Sequence, residues 1–114
     1  MRNVYGRVAG ALMRAMAQAA GVDGPALILD DAVATPWASV TFAGARHVLA
    51  VTLHGADEGA VKAAVERLLA QLPEMEIPLV GEIVADLTVA LEALGEGEAG
   101  CFAVLKVEVL TVGD

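Results

Sequence analysis

Residues 79–112 decide the fold of this chain, because they carry its most regular pattern: LVGEIVADLTVALEALGEGEAGCFAVLKVEVLTV. The polar side chains Glu82, Asp86, Thr88 and Glu92 fall on alternate positions of the first half. The positions between them are mostly apolar, namely Leu79, Gly81, Ile83, Ala85, Leu87, Val89, Leu91 and Ala93. A period of two is that of a half-buried strand. Residues 79–94 therefore predict one long strand with an acidic face.

The second half, residues 101–112, predicts another strand of the same kind. Ala103, Leu105, Val107 and Val109 line one face, and Lys106 and Glu108 lie on the other. The linking string GEGEAG (95–100) matches the G-x-G-x-x-G pattern of dinucleotide-binding proteins. That fingerprint must open a helix, whose N-terminus binds the phosphates. Here a strand follows and two glutamates would repel phosphate, so the string predicts a hairpin loop and no nucleotide cofactor.

The middle of the chain predicts a second antiparallel hairpin. Two runs of strand character, WASVTFA (37–43) and RHVLAVTLH (46–54), are separated only by Gly44-Ala45. In the second run His47, Leu49, Val51 and Leu53 share one face, and Arg46, Thr52 and His54 share the other. The preceding residues 21–36 hold glycines, prolines and an acidic pair, which favour a loop with room for one short strand.

Two stretches have the three- and four-residue spacing of amphipathic helices. The first, residues 3–20, carries an apolar stripe with its arginines off the stripe: Tyr5, Val8, Leu12, Met16 and Ala19. The second follows Gly55, with Asp57 and Glu58 in its first turn and the stripe Val61, Ala64, Val65, Leu68 and Leu72. The chain is thus expected to form a single α+β domain over residues 1–114. Its antiparallel sheet would have four to five strands with two helices, in the order α-(β)-β-β-α-β-β.

Composition limits the classes of function. The chain has 114 residues, 57% of them hydrophobic, and a net charge of −8. Residues 1–22 hold Arg2, Arg7 and Arg14 without an acid, whereas all fifteen acids share residues 23–114 with four basic residues. This asymmetry favours head-to-tail contact between copies or an acidic partner, or is simply a solvated helix face. The acidic body disfavours sequence-specific nucleic-acid binding. No apolar run is long enough to span a membrane, and the single cysteine fits a reducing compartment.

No set of side chains predicts an active site or a metal site. His47 and His54 lie on opposite faces of one strand, and no further ligand completes a site at His54 with Asp57 and Glu58. Cys101 lies among apolar neighbours without a base, which favours an inert thiol. Glu82, Asp86 and Glu92 would lie about 13 and 20 Å apart along an extended strand, too far for a catalytic pair of carboxylates. The sequence predicts no catalytic residue, no cofactor and no metal, and hence no enzyme.

The order of elements and several local strings resemble the small tail-completion, or tail-terminator, proteins of long-tailed phages and phage-derived gene transfer agents. The similar features are a short N-terminal helix, the Pro36-Trp37 step in TPWASVTF, and a strand running into an acidic-capped helix in RHVLAVTLHGADEGAVKAAVERLLAQL. They continue with a strand that begins near LVG and a last strand, AVLKVEVLTV. The GEGEAG turn departs from the more polar final hairpin of that family, as does the low aromatic content.

The resemblance implies a structural protein that forms a hexameric ring, ends the tail tube and docks it to the head connector. It would assemble in the cytoplasm and reside in the tail of a virion or phage-like particle. Charge complementarity then predicts an interface between Arg2, Arg7 and Arg14 of one copy and Glu82, Asp86 and Glu92 of the next. An acidic lumen would repel passing DNA.

Two other classes predict the same secondary structure. One is a dimeric α+β domain that binds a small molecule or acts as an enzyme, with a pocket between protomers. The other is an adaptor module that exposes an apolar groove to a peptide.

Overall fold

In a computed structural model that describes residues 6–21 and 24–113, the chain forms two helices over one face of a four-stranded antiparallel sheet. The elements are α1 (Gly6–Ala20), β1 (Ala26–Ala38), β2 (Ala43–Gly55), α2 (Glu58–Gln71), β3 (Glu82–Gly97) and β4 (Gly100–Gly113). A 3₁₀ turn, Leu72–Glu74, follows α2. The sheet order is β1-β2-β4-β3, so β1 and β3 are the edge strands. The predicted α+β class and the order of elements are confirmed, with four strands.

Both helices begin or end where local chemistry requires it. The Asp57 carboxylate accepts a hydrogen bond from the Gly59 backbone N–H (3.1 Å) and caps the N-terminus of α2. Gly21, at φ +97°, ends α1, and its N–H donates to the Ala17 carbonyl (3.1 Å). The Arg67 guanidinium of α2 donates to the Ala20 carbonyl (2.7 Å) and so ties the two helices together. Neither described helix has the length and hydrophobicity needed to cross a bilayer.

The core lies between the helices and the inner face of the sheet. The helical stripes predicted from the sequence are buried wherever the structure describes them. Residues 3–5 of the predicted first helix, which include Tyr5, lie outside the described residues. The predicted inward faces of β2 and β4 are also confirmed, with Leu49, Val51, Leu53, Ala103, Leu105, Val107 and Val109 all buried. Neither helix covers the outer face of the sheet.

The first hairpin differs from its prediction. Residues 26–38 form one thirteen-residue strand, not a loop with a short strand, and the turn is at residues 39–42 instead of Gly44-Ala45. Asp30 forms a bulge that shifts the register of β1 and breaks its two-residue alternation. Pro36 lies in this edge strand, which pairs with a neighbour on one side only. A residue without a backbone N–H is therefore tolerated there. The Ser39 N–H donates to the Phe42 carbonyl (2.7 Å) and closes the turn.

Gly44 is a strand residue that makes room for a cross-strand contact. It pairs with Trp37 on one side and with Val112 on the other. A Cβ at Gly44 would overlap the Thr111 carbonyl of β4. That same carbonyl accepts a hydrogen bond from the Trp37 indole Nε1 (3.2 Å), which reaches across β2. The glycine that predicted a turn is therefore required by close packing between three strands.

β3 has the predicted length of sixteen residues, but the sides of the sheet on which its residues lie differ from the prediction. Bulges at Ala85 and at Glu92 shift its register against β4. Each bulge reverses the alternation, so Ile83 points to the outer face and is exposed, whereas Leu87 points to the helices and is buried. The prediction that Ile83 and Leu87 share one face, and that the acidic residues share the other, is wrong.

Candidate interaction surfaces

The glycine-rich string GEGEAG forms a tight hairpin, as predicted. Gly97 of β3 pairs with Gly100 of β4, so only Glu98 and Ala99 form the turn. Gly100 has φ +121°, and a Cβ there would lie 2.7 Å from the Gly55 carbonyl oxygen. Backbone geometry and this close approach to β2 account for the glycine. A strand follows the string, and so it lacks the helix N-terminus that a dinucleotide site requires.

The two histidines lie on opposite faces of β2, as predicted. His47 faces the helices, and its Nε2 lies 3.5 Å from the Thr111 hydroxyl. Burial lowers the pKa of His47, and the carboxylate of Glu82 opposes that shift in part. His54 is on the outer face, opposite Phe102. In residues 6–21 and 24–113 no three His, Cys, Asp or Glu side chains are grouped so as to hold a metal ion.

Cys101 is buried at the start of β4. Burial raises the pKa of its thiol, and the nearby carboxylates of Glu96, Glu58 and Asp57 raise it further. A raised pKa lowers the fraction of thiolate at neutral pH, and the thiolate is the reactive form. The geometry thus agrees with an unreactive thiol.

The residues predicted for an interface are spread over three surfaces. Arg7 and Arg14 are exposed on α1, and Arg2 lies outside the described residues. Asp86 points to the outer face opposite Leu110, whereas the bulge at Ala85 leaves Glu82 on the opposite, helix-facing side.

Glu92 is exposed at the second bulge of β3. Glu82, Asp86 and Glu92 therefore do not form one acidic face. The GEGEAG pattern indicates a turn and carries no signal that marks Glu96 and Glu98 as interface residues.

The outer face of the sheet, here called the open face, combines apolar and charged side chains. On this face the Glu108 carboxylate forms ion pairs with Arg46 (3.6 Å) and with Lys106 (3.7 Å). These three side chains form a charged cluster. Thr52 donates a hydrogen bond to Asp30 near the β1 edge. The apolar members of the open face are Ile28, Val33, Trp37, Val48, Ile83, Phe102, Val104, Leu110 and Val112.

The most exposed apolar side chains lie at one end of the sheet, here called the tip end. It comprises the β1–β2 turn (39–42), residues 80–83 and the end of β4. Val40 is fully exposed at 102%, Phe42 is 59% exposed, and Val80 is 77% exposed. Contiguous exposed apolar patches are typical of protein–protein or membrane contact sites.

Several concave regions lie near the tip end, including a hollow of about 400 Å³ lined by Ile77, Ile83 and Leu87. A notch of about 420 Å³ on the open face is lined by Thr35, Pro36, Trp37, Arg46 and Leu110. On the other side of the molecule a groove runs between α1 and the segment 75–80. It consists of two hollows of about 290 and 280 Å³ that share Ala11, Arg14 and Pro78.

The fold and these surfaces define a two-layer α+β domain with one uncovered sheet face and an apolar tip. No family model matches the chain, and neither does any curated protein or solved structure. Its function is therefore inferred from its surfaces and from the order of its elements.

Proposed function

We propose that this protein is a structural component of a phage-like tail. In this proposal copies of the chain form a ring that terminates the tail tube and docks it to the head connector. Its partners are other copies of itself, the tail-tube protein and the connector. The resemblance in element order and in local strings supports the class, and the exposed surfaces support an assembly role.

The observation that carries the proposal is the apolar tip end. Val40 and Phe42 project from a turn whose own hydrogen bonds run between Ser39 and Phe42, so neither side chain is needed to close it. Val40 is fully exposed and Phe42 is 59% exposed, so most of the surface of this apolar pair is available to a partner. It fits burial against a second protein.

Free strand edges would oppose an ordered ring unless they were blocked, because unpaired edges invite uncontrolled strand addition. β1 carries Pro36 and the bulge at Asp30, and β3 carries bulges at Ala85 and Glu92. These features favour contacts through side chains over continued sheet pairing. A heterologous contact of that kind closes into a ring when its rotation permits.

The proposal is tested by adding the purified protein to polymerising tail-tube subunits. Tubes are expected to stop growing and to carry a ring at one end in electron micrographs. Val40→Asp should abolish capping while circular dichroism stays unchanged, because a charge is placed in the proposed contact but not in the core. Leu69→Asp, at a 38% exposed position on α2, is the matched control and should cap normally. Tubes that grow past added wild-type protein would contradict the proposal.

A second candidate is favoured by the notch on the open face. Pocket volumes of about 300–1,000 Å³ are typical of small-molecule sites, and a second copy packed on the open face would close the notch around Trp37. This reading predicts a two-fold dimer with a ligand between the sheets. It predicts tryptophan fluorescence changes on ligand addition, which the ring does not require.

A further inference from the structure

We propose that the groove between α1 and the segment 75–80 receives the β3–β4 turn of a second copy of this chain. The contact would pair Arg7 and Arg14 of one copy with Glu96 and Glu98 of the next. It deepens the proposed ring and rests on the proposed self-assembly. It also replaces the acidic residues expected from the sequence with two others.

The groove offers positive charge beside an apolar surface. Arg7 and Arg14 lie on its α1 wall, with Gln18 further along the helix. Neither arginine has a carboxylate within ion-pair distance in the parts of the chain that the structure describes. The opposite wall carries Val80, which is 77% exposed. Glu76 also lines the groove, so two cations face one acid there.

The β3–β4 turn offers the complementary surface. Glu96 and Glu98 are exposed, and within residues 6–21 and 24–113 neither forms an ion pair. Leu94 pairs with Ala103 and Glu96 with Cys101, two buried residues of β4 that face the helices. Leu94 and Glu96 therefore share one side of β3, and Leu94 is still 44% exposed. An exposed leucine next to two carboxylates matches an exposed valine next to two guanidinium groups.

The two surfaces lie too far apart to meet within one copy. Val80 precedes β3, whereas Glu96 and Glu98 lie on either side of its last residue, Gly97. The sixteen residues of β3 rise about 3.3 Å each, which separates the surfaces by about 50 Å. The molecule itself extends over 49 Å. The contact is therefore head-to-tail between copies, which is the arrangement that generates rings.

Charge reversal tests the contact with two variants, Arg14→Glu and Glu98→Lys. Arg14→Glu makes the groove negative while the turn stays negative, and Glu98→Lys gives a turn that repels the groove of another copy of the same variant. Each variant alone is expected to self-associate at least about tenfold more weakly than wild type, because like charges then face each other. An equimolar mixture is expected to recover assembly, since each kind of copy then meets its complement on both sides.

Native mass spectrometry measures the result, because the two variants differ in mass. The mixture should give oligomers with equal numbers of each variant and an even number of subunits. Lys62→Glu and Glu66→Lys on α2 are the matched controls for the two charge changes, and both should assemble like wild type. Far-ultraviolet circular dichroism of every variant should match wild type.

Three results would overturn the inference. They are single variants that assemble as well as wild type, a mixture of folded variants that fails to recover assembly, and a wild-type chain that stays monomeric at every concentration. None of these decides the tail-terminator role, which depends on tube capping. Conversely, a groove-to-turn contact in a chain that never caps tubes would support the contact and contradict the role.

Discussion

Truncation of Phe42 to alanine should separate the assembly role of the tip end from its role in folding. Phe42 is 59% exposed. An aromatic side chain carries about 200 Å² of surface, so about 120 Å² remains for a partner to cover. At about 25 cal/mol per Å² this corresponds to about 3 kcal/mol, the size of an interface hot spot. Phe42→Ala should therefore weaken self-association by about 30- to 150-fold.

The free energy of unfolding should fall by less than the free energy of association in the same variant, because Phe42 is 59% exposed in one copy. The turn is closed by the Phe42 backbone N–H and carbonyl, which alanine retains. The part of the side chain that is already covered within one copy, about 80 Å², corresponds to at most about 2 kcal/mol on the same scale. Sedimentation velocity over a concentration series gives the dissociation constant, and urea unfolding gives the stability. Leu69→Ala on α2, outside the tip end, is the control for association and should leave the dissociation constant unchanged.

Two results would refute this reasoning. A dissociation constant equal to that of wild type would show that no second copy of this chain covers the tip end. A loss of stability as large as the loss of association would show that Phe42 acts within the fold.

Three predictions concern the fold itself. Leu105→Ala, at a fully buried position of the central strand β4, should lower the free energy of unfolding in urea by about 2–5 kcal/mol. Gly100→Ala should cost about 1–3 kcal/mol in the same assay because of its positive φ, whereas Gly97→Ala meets no atom within 4 Å and should be nearly neutral. The pKa of His47 is lowered from 6.5, so the unfolded chain takes up its proton first. Stability should then fall as the pH drops below 6.5, and His47→Gln should make that fall smaller.

The parts of the fold that follow a fixed period could be predicted from the sequence. The stripes of α1 and α2 and the inner faces of β2 and β4 keep their spacing without interruption, so each residue's side follows from its neighbours. Even the GEGEAG turn was predictable, because strand patterns lie on both sides of it.

The parts that contain bulges could not be predicted. One extra residue at Asp30, Ala85 or Glu92 reverses every side chain that follows, and no residue type signals it in advance. The full length of β1 does not follow from the sequence for this reason. In addition, Pro36 is typical of a loop, and a strand tolerates it only at the edge of a sheet. Whether a strand is an edge depends on the order β1-β2-β4-β3, which arises from pairing between distant segments.

The candidate surfaces divide in the same way. The exposure of Arg7 and Arg14 follows from the stripe of α1. Their position beside residues 75–80, and the 49 Å length that places the acidic turn at the other end, depend on tertiary packing. The sequence places Glu82, Asp86 and Glu92 on one face only if the strand alternates without interruption. The bulges of β3 break that alternation and separate the three residues.

In the proposed function, copies of this chain close into a ring at the end of a tail tube. Negative-stain imaging of the purified protein, alone and mixed with tail tubes, tests it most directly when native mass spectrometry is run on the same samples. We expect closed six-fold rings, free or bound to tube ends, with a mass of six chains. A stable dimer that forms no ring and leaves the tube ends bare would contradict it.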